Sequence, residues 1–303
     1  MNIVVLGYTG FVGQNLIDYY SKKKEINLFL IYRNKKKIYK NTKKKKYIYL
    51  KSRELKKLLK NEKIDILIYC ISKVYSKFDS YNKYIKINVI FLKNFLKLLK
   101  KTNLKNFIYL STINVYGKKI INANESLKPN PIDDYSKTKF KAEELIKKNL
   151  KEKKINFLIL RLPLIYGKIG LKGGLKIAND IIKKIPFVVT IRFGNKKSML
   201  GSKNLADFIL FVNKKKKYFS SLKCKIFNIT DRDNYSTEDI FFFFSKIYKK
   251  KFFYIKIFNN VVKLILNYSS KGLFEKYFGS YTINTSKIKK TGWKAPYKFI
   301  DHF

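Results

Sequence analysis

The chain is poor in the side chains that hydrolytic and metal chemistry depend on. It holds one histidine, His302, and two cysteines, Cys70 and Cys224, in 303 residues. The cysteines lack any metal-ligand spacing, and the histidine stands next to the last residue. Ser-His-Asp, Cys-His and His-metal chemistry are therefore excluded, and no metal site is expected. Long uncharged apolar runs are missing too. None approaches the roughly 18 residues a membrane span needs, and no leader-like stretch precedes the first apolar run. A soluble, cytoplasmic protein without a membrane partner is the expectation.

Acids are scarce: 20 Asp and Glu face 68 Lys and Arg, for a net charge of +48. Such an excess attracts phosphate and invites a nucleic-acid reading. Yet only five of the cations are arginine, the side chain that grips phosphate and guanine best. Lysine is inflated together with Ile, Asn, Tyr and Phe, the residues of A/T-rich codons. The charge reads as solvated surface, and no specific nucleic-acid partner is expected.

What is present begins at the N-terminus. Ile3 to Leu6 is a short, β-branched run suited to a strand buried on both faces, and glycines follow at 7, 10 and 13 before a helix begins near Phe11. Gly7 permits a tight turn, Gly10 lets a pyrophosphate approach the backbone, and Gly13 lets helix pack on strand. The helix start, with Thr9, Phe11 and Val12, offers N–H groups to phosphates. A dinucleotide is the expected ligand. After a second strand, Ile26 to Tyr32, stands Arg33 with no acid nearby. An acid there suits the ribose 2′-hydroxyl of NAD and an arginine the 2′-phosphate of NADP, so the cofactor is NAD or NADP with a lean to NADP.

Further strands are expected at Tyr47 to Leu50, Ile64 to Cys70, Asn106 to Leu110 and Phe157 to Arg161. Cys70 and Ser72 then fall at the C-terminal end of a parallel strand, where the ligand crevice of such sheets lies. Residues 81–101 and 134–150 read as helices, and the apolar stripe of the first suits core packing or a homodimer seam. Beyond residue 161 the strand-helix alternation fades. We therefore expect an α/β fold: a Rossmann-type doubly wound parallel sheet in residues 1–161, to which a strand near 224–229 returns. A smaller mixed substrate lobe would occupy 162–303.

Tyr135 and Lys139 are one helical turn apart and share a face. A neighbouring ammonium favours the phenolate of a tyrosine that is otherwise a poor base at neutral pH. In a sequence with 23 tyrosines such pairs arise by chance; position selects this one, because it opens a helix after a strand end rich in hydroxyls. Thr112, at that strand end, is placed to hydrogen-bond a reacting oxygen.

The ordered set Gly7/Gly10/Gly13, Asn88-Val89, Leu110-Ser111-Thr112, Val115-Tyr116-Gly117, Tyr135/Lys139 with Ala142-Glu143, and Arg161 to Gly167 resembles the extended short-chain dehydrogenases of the epimerase/dehydratase family. So do Lys197-Ser198, Asn204-Leu205-Ala206-Asp207 and the closing Gly292-Trp293-Lys294-Ala295-Pro296. The resemblance implies NAD(P) on the Rossmann domain and a nucleoside-diphosphate sugar, a UDP-sugar foremost, on the C-terminal lobe. It implies catalytic roles for Thr112, Tyr135 and Lys139, and substrate contacts from Thr112, Asn114 and Lys197. Two departures qualify it. Ile113-Asn114 stands where dehydratases of the family carry Asp-Glu, which disfavours dehydration. Lys197 replaces a usual diphosphate-binding arginine, keeping the charge but losing the bidentate fork. The expected activity is redox chemistry at C4 of the sugar, by epimerisation or by 4-keto reduction. A non-catalytic NAD(P)-binding scaffold and, further off, a polyanion binder are the alternatives.

Overall fold

A computed structural model describes residues 1–32, 47–74, 79–99, 102–118, 120–150, 155–171, 173–192, 194–222, 225–255 and 279–303. Arg33, Lys172 and Cys224 lie outside the described residues. The main sheet has seven strands: β1 (Asn2–Leu6), β2 (Asn27–Tyr32), β3 (Tyr47–Lys51), β4 (Ile66–Tyr69), β5 (Asn106–Thr112), β6 (Asn156–Leu162) and β10 (Ile226–Asn228). Their order is β10-β6-β5-β4-β1-β2-β3, and every pairing is parallel. This is the expected doubly wound sheet. The chain moves outward in one direction from β1 through β2 to β3, then returns to the other side of β1 at β4. The loops after β1 and β4 therefore diverge, and a crevice opens between them at the strand ends.

Why these runs are strands is plain from their burial. Residues Ile3 to Leu6 and Ile66 to Tyr69 are wholly buried, as continuous apolar runs covered on both faces must be. One face packs under α1 (Phe11–Tyr20) and α7 (Ser202–Lys214), joined by Phe219 of α8 (Lys216–Ser221), Phe227 and Trp293. The other is covered by α2 (Leu55–Asn61), α4 (Phe91–Leu99) and α5 (Asp134–Leu150).

The helix expected over 81–101 is interrupted. It runs as α3 (Tyr81–Tyr84), a π-helical stretch Ile85–Ile90 and then α4. Asn88, buried within the π stretch, accounts for this. Its amide donates to Lys73 O at 3.1 Å and Thr138 Oγ1 at 3.0 Å, and accepts from Lys73 N at 2.7 Å. Inserted residues of this kind gather at functional sites.

A smaller body is built from β7 (Leu164–Tyr166), β9 (Lys197–Gly201) and β11 (Asn234–Tyr235) in one mixed sheet. The parallel ribbon of β8 (Phe187–Thr190) and β12 (Lys251–Tyr254), with α6 (Gly173–Lys184) and α9 (Thr237–Ile247), completes it. Ser236 caps α9 as its sequence suggests, accepting from Asp239 N at 3.0 Å while Asp239 accepts from Ser236 N at 2.8 Å. The Gly173-Gly174 pair opens α6.

Candidate active site

The glycine loop does three separate jobs. Gly7 has φ +80° and lies so close to the end of β4 that a Cβ there would meet Ile71 N at 2.9 Å. Gly13 is pressed on the loop itself, where a Cβ would stand 2.5 Å from Tyr8 Cα. Both positions exclude other residues by contact. Gly10 differs: an added Cβ would meet only the loop carbonyl of Gly7, at 3.3 Å, with open space beyond. Gly10 is also the N-cap of α1, giving it no side-chain cap, and the first turn, with Phe11 and Val12, carries no acid. A bare helix N-terminus facing an open cradle fits the pyrophosphate of a dinucleotide. Thr9 completes the loop, its carbonyl accepting from Gln14 Nε2 at 2.9 Å.

Across the crevice, Tyr135 lies in the first turn of α5 and Lys139 one turn on. Lys139 is fully buried; its Nζ donates to Leu110 O at 2.6 Å and sits 4.1 Å from the Tyr109 ring centre. Burial pushes its ammonium down to about 7, against the opposing pull of Glu143. Burial likewise pushes the Tyr135 phenol up to about 12, aided by Asp133, while hydrogen bonds from Thr112 and Ser72 pull it down. The structure thus gathers Ser72 from the β4 end, Thr112 from the β5 end and Tyr135 from α5. Cys70 is half-buried near Lys139, its thiol pushed up to about 12 by burial and drawn down by Lys139.

A rigid ion pair holds this frame. Arg161 Nη2 lies 2.7 Å from Glu143 Oε2, both side chains fully buried, and Ser111 Oγ donates to Glu143 Oε1 at 2.5 Å. The pair joins α5 to β6, and Ser111 brings in β5 beside Thr112. Sequence reasoning gave Glu143 and Arg161 no role. The signal was there: an arginine inside the apolar run Phe157-Leu158-Ile159-Leu160 must find a carboxylate. Asn88 entered only as part of the family resemblance, although it links the Ser72-Lys73 segment to α5.

Beyond Thr112 opens a cavity of about 900 Å³ between the strand ends and the smaller body. Thr112, Asn114, Asp133 and Gly117 line one side; Lys197, Thr237 and Tyr281 line another; Ile113, Ile132, Leu164, Ile177 and Ile181 supply apolar wall. Lys197 is buried, donates to Thr237 Oγ1 at 3.2 Å, and is pushed down to about 8 by desolvation, with Glu238 opposing. Asn114 and Lys197 thus line the same cavity as Thr112. His302 is elsewhere: it is buried, its ring filling the space a Cβ at Gly201 would take, and burial pushes it down to about 4. Among the described residues no group of His, Cys, Asp and Glu could hold a metal ion.

The family model for the NAD dependent epimerase/dehydratase family matches residues 3–210. The chain belongs to that family. This epimerase-family chain is 29% identical over 133 residues to the N-acetyl-alpha-D-glucosaminyl-diphospho-ditrans,octacis-undecaprenol 4-epimerase of Escherichia coli O157:H7, a stretch covering 42% of the chain and 39% of that relative. Its fold is similar to the UDP-N-acetylglucosamine 4-epimerase of Bacillus cereus, with TM-score 0.74, 18% identity, and 100% and 96% of the two chains covered. It is similar also to the Bacillus cereus UDP-glucuronic acid 4-epimerase in complex with NAD, with TM-score 0.69, 21% identity, and 93% and 95% covered. At these identities the structures speak for the fold.

Proposed function

We propose that the protein carries out NAD(P)-dependent redox chemistry at C4 of a nucleoside-diphosphate sugar, by 4-epimerisation or 4-keto reduction. One observation supports the reading: Tyr135 takes hydrogen bonds from Thr112 and Ser72, and Thr112 lines a cavity whose wall holds the buried cation Lys197. Gly7, Gly10, Gly13 and the start of α1 would hold the dinucleotide, with Lys139 beneath it. When bound, the cofactor supplies a hydride acceptor or donor. Tyr135 exchanges the proton of the C4 hydroxyl, its phenolate favoured by Lys139 and by hydrogen bonds from Thr112 and Ser72. Thr112 orients the C4 oxygen. Lys197 and Thr237 meet the diphosphate, and Asn114 reaches the sugar beside Thr112.

Ile113-Asn114 offers no carboxylic acid to expel water, so dehydration is disfavoured. The lean to NADP rests on Arg33 and the missing acid after β2. A homodimer would use the helices at 81–101 and 134–150, where Ile90 of the π stretch and Phe91 of α4 are exposed. The Escherichia coli relative favours a second form of the substrate, a sugar diphosphate carried on a polyprenol. The apolar residues Ile177 and Ile181 on the cavity wall are compatible with it.

The test is an assay of NADPH consumption with a UDP-4-keto sugar, beside interconversion of UDP-hexose C4 epimers. Stoichiometric NADPH oxidation selects the reductase, and interconversion without net oxidation selects the epimerase. Inactivity over a broad panel of nucleotide and polyprenyl-diphosphate sugars would turn the reading to a non-catalytic cofactor-binding scaffold.

A further inference from the structure

The ribbon of β8 and β12 breaks the usual alternation of a half-buried sheet. Val188 and Thr190 point inward and are buried. Apart from Lys251, the outward positions are large and apolar: Phe187, Val189, Phe253 and Ile255 are 51%, 42%, 50% and 47% exposed. The parallel register sets Phe253 beside Val189, and the rings of Phe187 and Phe253 meet edge to face at 6.3 Å. A ribbon face in water ordinarily carries polar residues at such positions.

The chain around this face is cationic. Lys183 and Lys184 end α6 just before β8, Arg192 follows β8, and Lys249, Lys250 and Lys251 lead into β12. Residues 180–192 and 246–255 contain one acid, Asp180, and among the described residues the only acids that act on Tyr254 of β12 are Asp239 and Glu238 in the first turn of α9. Two copies of such a face would bring like charges together, which disfavours self-association through it. An apolar knob within a basic rim is instead the chemistry that seats a protein on an anionic lipid surface. We propose that the β8–β12 face docks on an anionic bilayer as a peripheral contact. Such a contact needs no membrane-spanning helix, and none is found among the described residues. α6 links the docked face to the cavity, since its exposed Ile177 and Ile181 line the cavity two turns or less before Lys184. The proposal does not depend on which reaction the site performs.

The full chain is tested by co-sedimentation with vesicles of phosphatidylcholine alone or mixed with phosphatidylglycerol, at physiological salt. Binding to the mixed vesicles only is expected, with a loss of about tenfold or more on Phe187→Ser with Phe253→Ser. Circular dichroism checks that this variant folds. Because the whole chain is basic, Lys56→Gln with Lys57→Gln on α2 serves as the control; it should change binding far less than Lys183→Gln with Lys184→Gln. In a separate variant, Phe253→Trp should show a blue-shifted emission on the mixed vesicles. Absence of binding, equal binding by the phenylalanine variant, equal losses from the two lysine pairs, or an unshifted Phe253→Trp emission would each overturn the proposal. So would capture of an acidic protein through this face in place of lipid.

Discussion

Lys139 Nζ donates to the carbonyl of Leu110 at 2.6 Å, tying the helix that carries Tyr135 to the strand whose end carries Thr112. The ammonium is therefore a strut between α5 and β5.

Tyr135→Phe should fold and bind cofactor like the parent chain but lose turnover by about a thousandfold or more, because only the proton-exchanging oxygen is removed. Steady-state kinetics beside cofactor titration by calorimetry checks both halves. Turnover near that of the parent would remove Tyr135 from the mechanism.

Two glycines of one loop should fail differently. Gly10→Val meets only a single loop carbonyl and should yield folded protein with weakened cofactor affinity. Gly13→Val drives its side chain into Tyr8 Cα and the Gly7 carbonyl, and should lower the thermal midpoint or abolish soluble expression. Unchanged cofactor affinity in folded Gly10→Val would refute the pyrophosphate assignment.

Removing one member of the buried pair, by Glu143→Gln or Arg161→Met, should cost about 3–5 kcal/mol in urea unfolding, since the remaining group is stranded without its partner. Glu143→Leu combined with Arg161→Met should cost much less than the sum. Additive losses would argue that the two side chains stabilise the fold separately.

Lys197→Met should raise KM for a sugar diphosphate with kcat changed little, and Lys197→Arg should recover most of the loss, as expected for a cation that holds diphosphate in ground and transition states alike. Equal KM values in the methionine variant and the parent would place the diphosphate elsewhere.

Asp231 is buried and accepts from Gly201 N at 2.9 Å and Asn204 Nδ2 at 2.6 Å, with the hydroxyls of Tyr166 and Tyr235 on its other oxygen. Burial pushes its carboxyl up from 3.8 to about 6 despite these donors. Between those values the folded chain holds a proton that the unfolded chain has released. This group's contribution is therefore greatest below about pH 4 and is lost as pH rises through about 6, a change of roughly 3 kcal/mol. Urea midpoints across that window should show the slope in the parent and a flatter line for Asp231→Asn. Parallel curves would contradict the assignment.

The sequence by itself determined the order and nature of the main elements, because each depends on local pattern. Continuous β-branched runs gave β1 and β4, and glycine spacing gave the turn into α1. A four-residue interval placed Tyr135 and Lys139 on one face of α5. Register and long-range contact could not be read that way. The π stretch at Ile85–Ile90 depends on Asn88 reaching Lys73 and Thr138, and the meaning of Arg161 depends on Glu143 from another element. Gly201 and His302, about a hundred residues apart, share one space. Only the folded chain could also show that β8 and β12 lie side by side, since the apolar residues that form their outer face come from two segments some sixty residues apart in the sequence. Such pairings are made by packing between distant segments, which no local periodicity encodes.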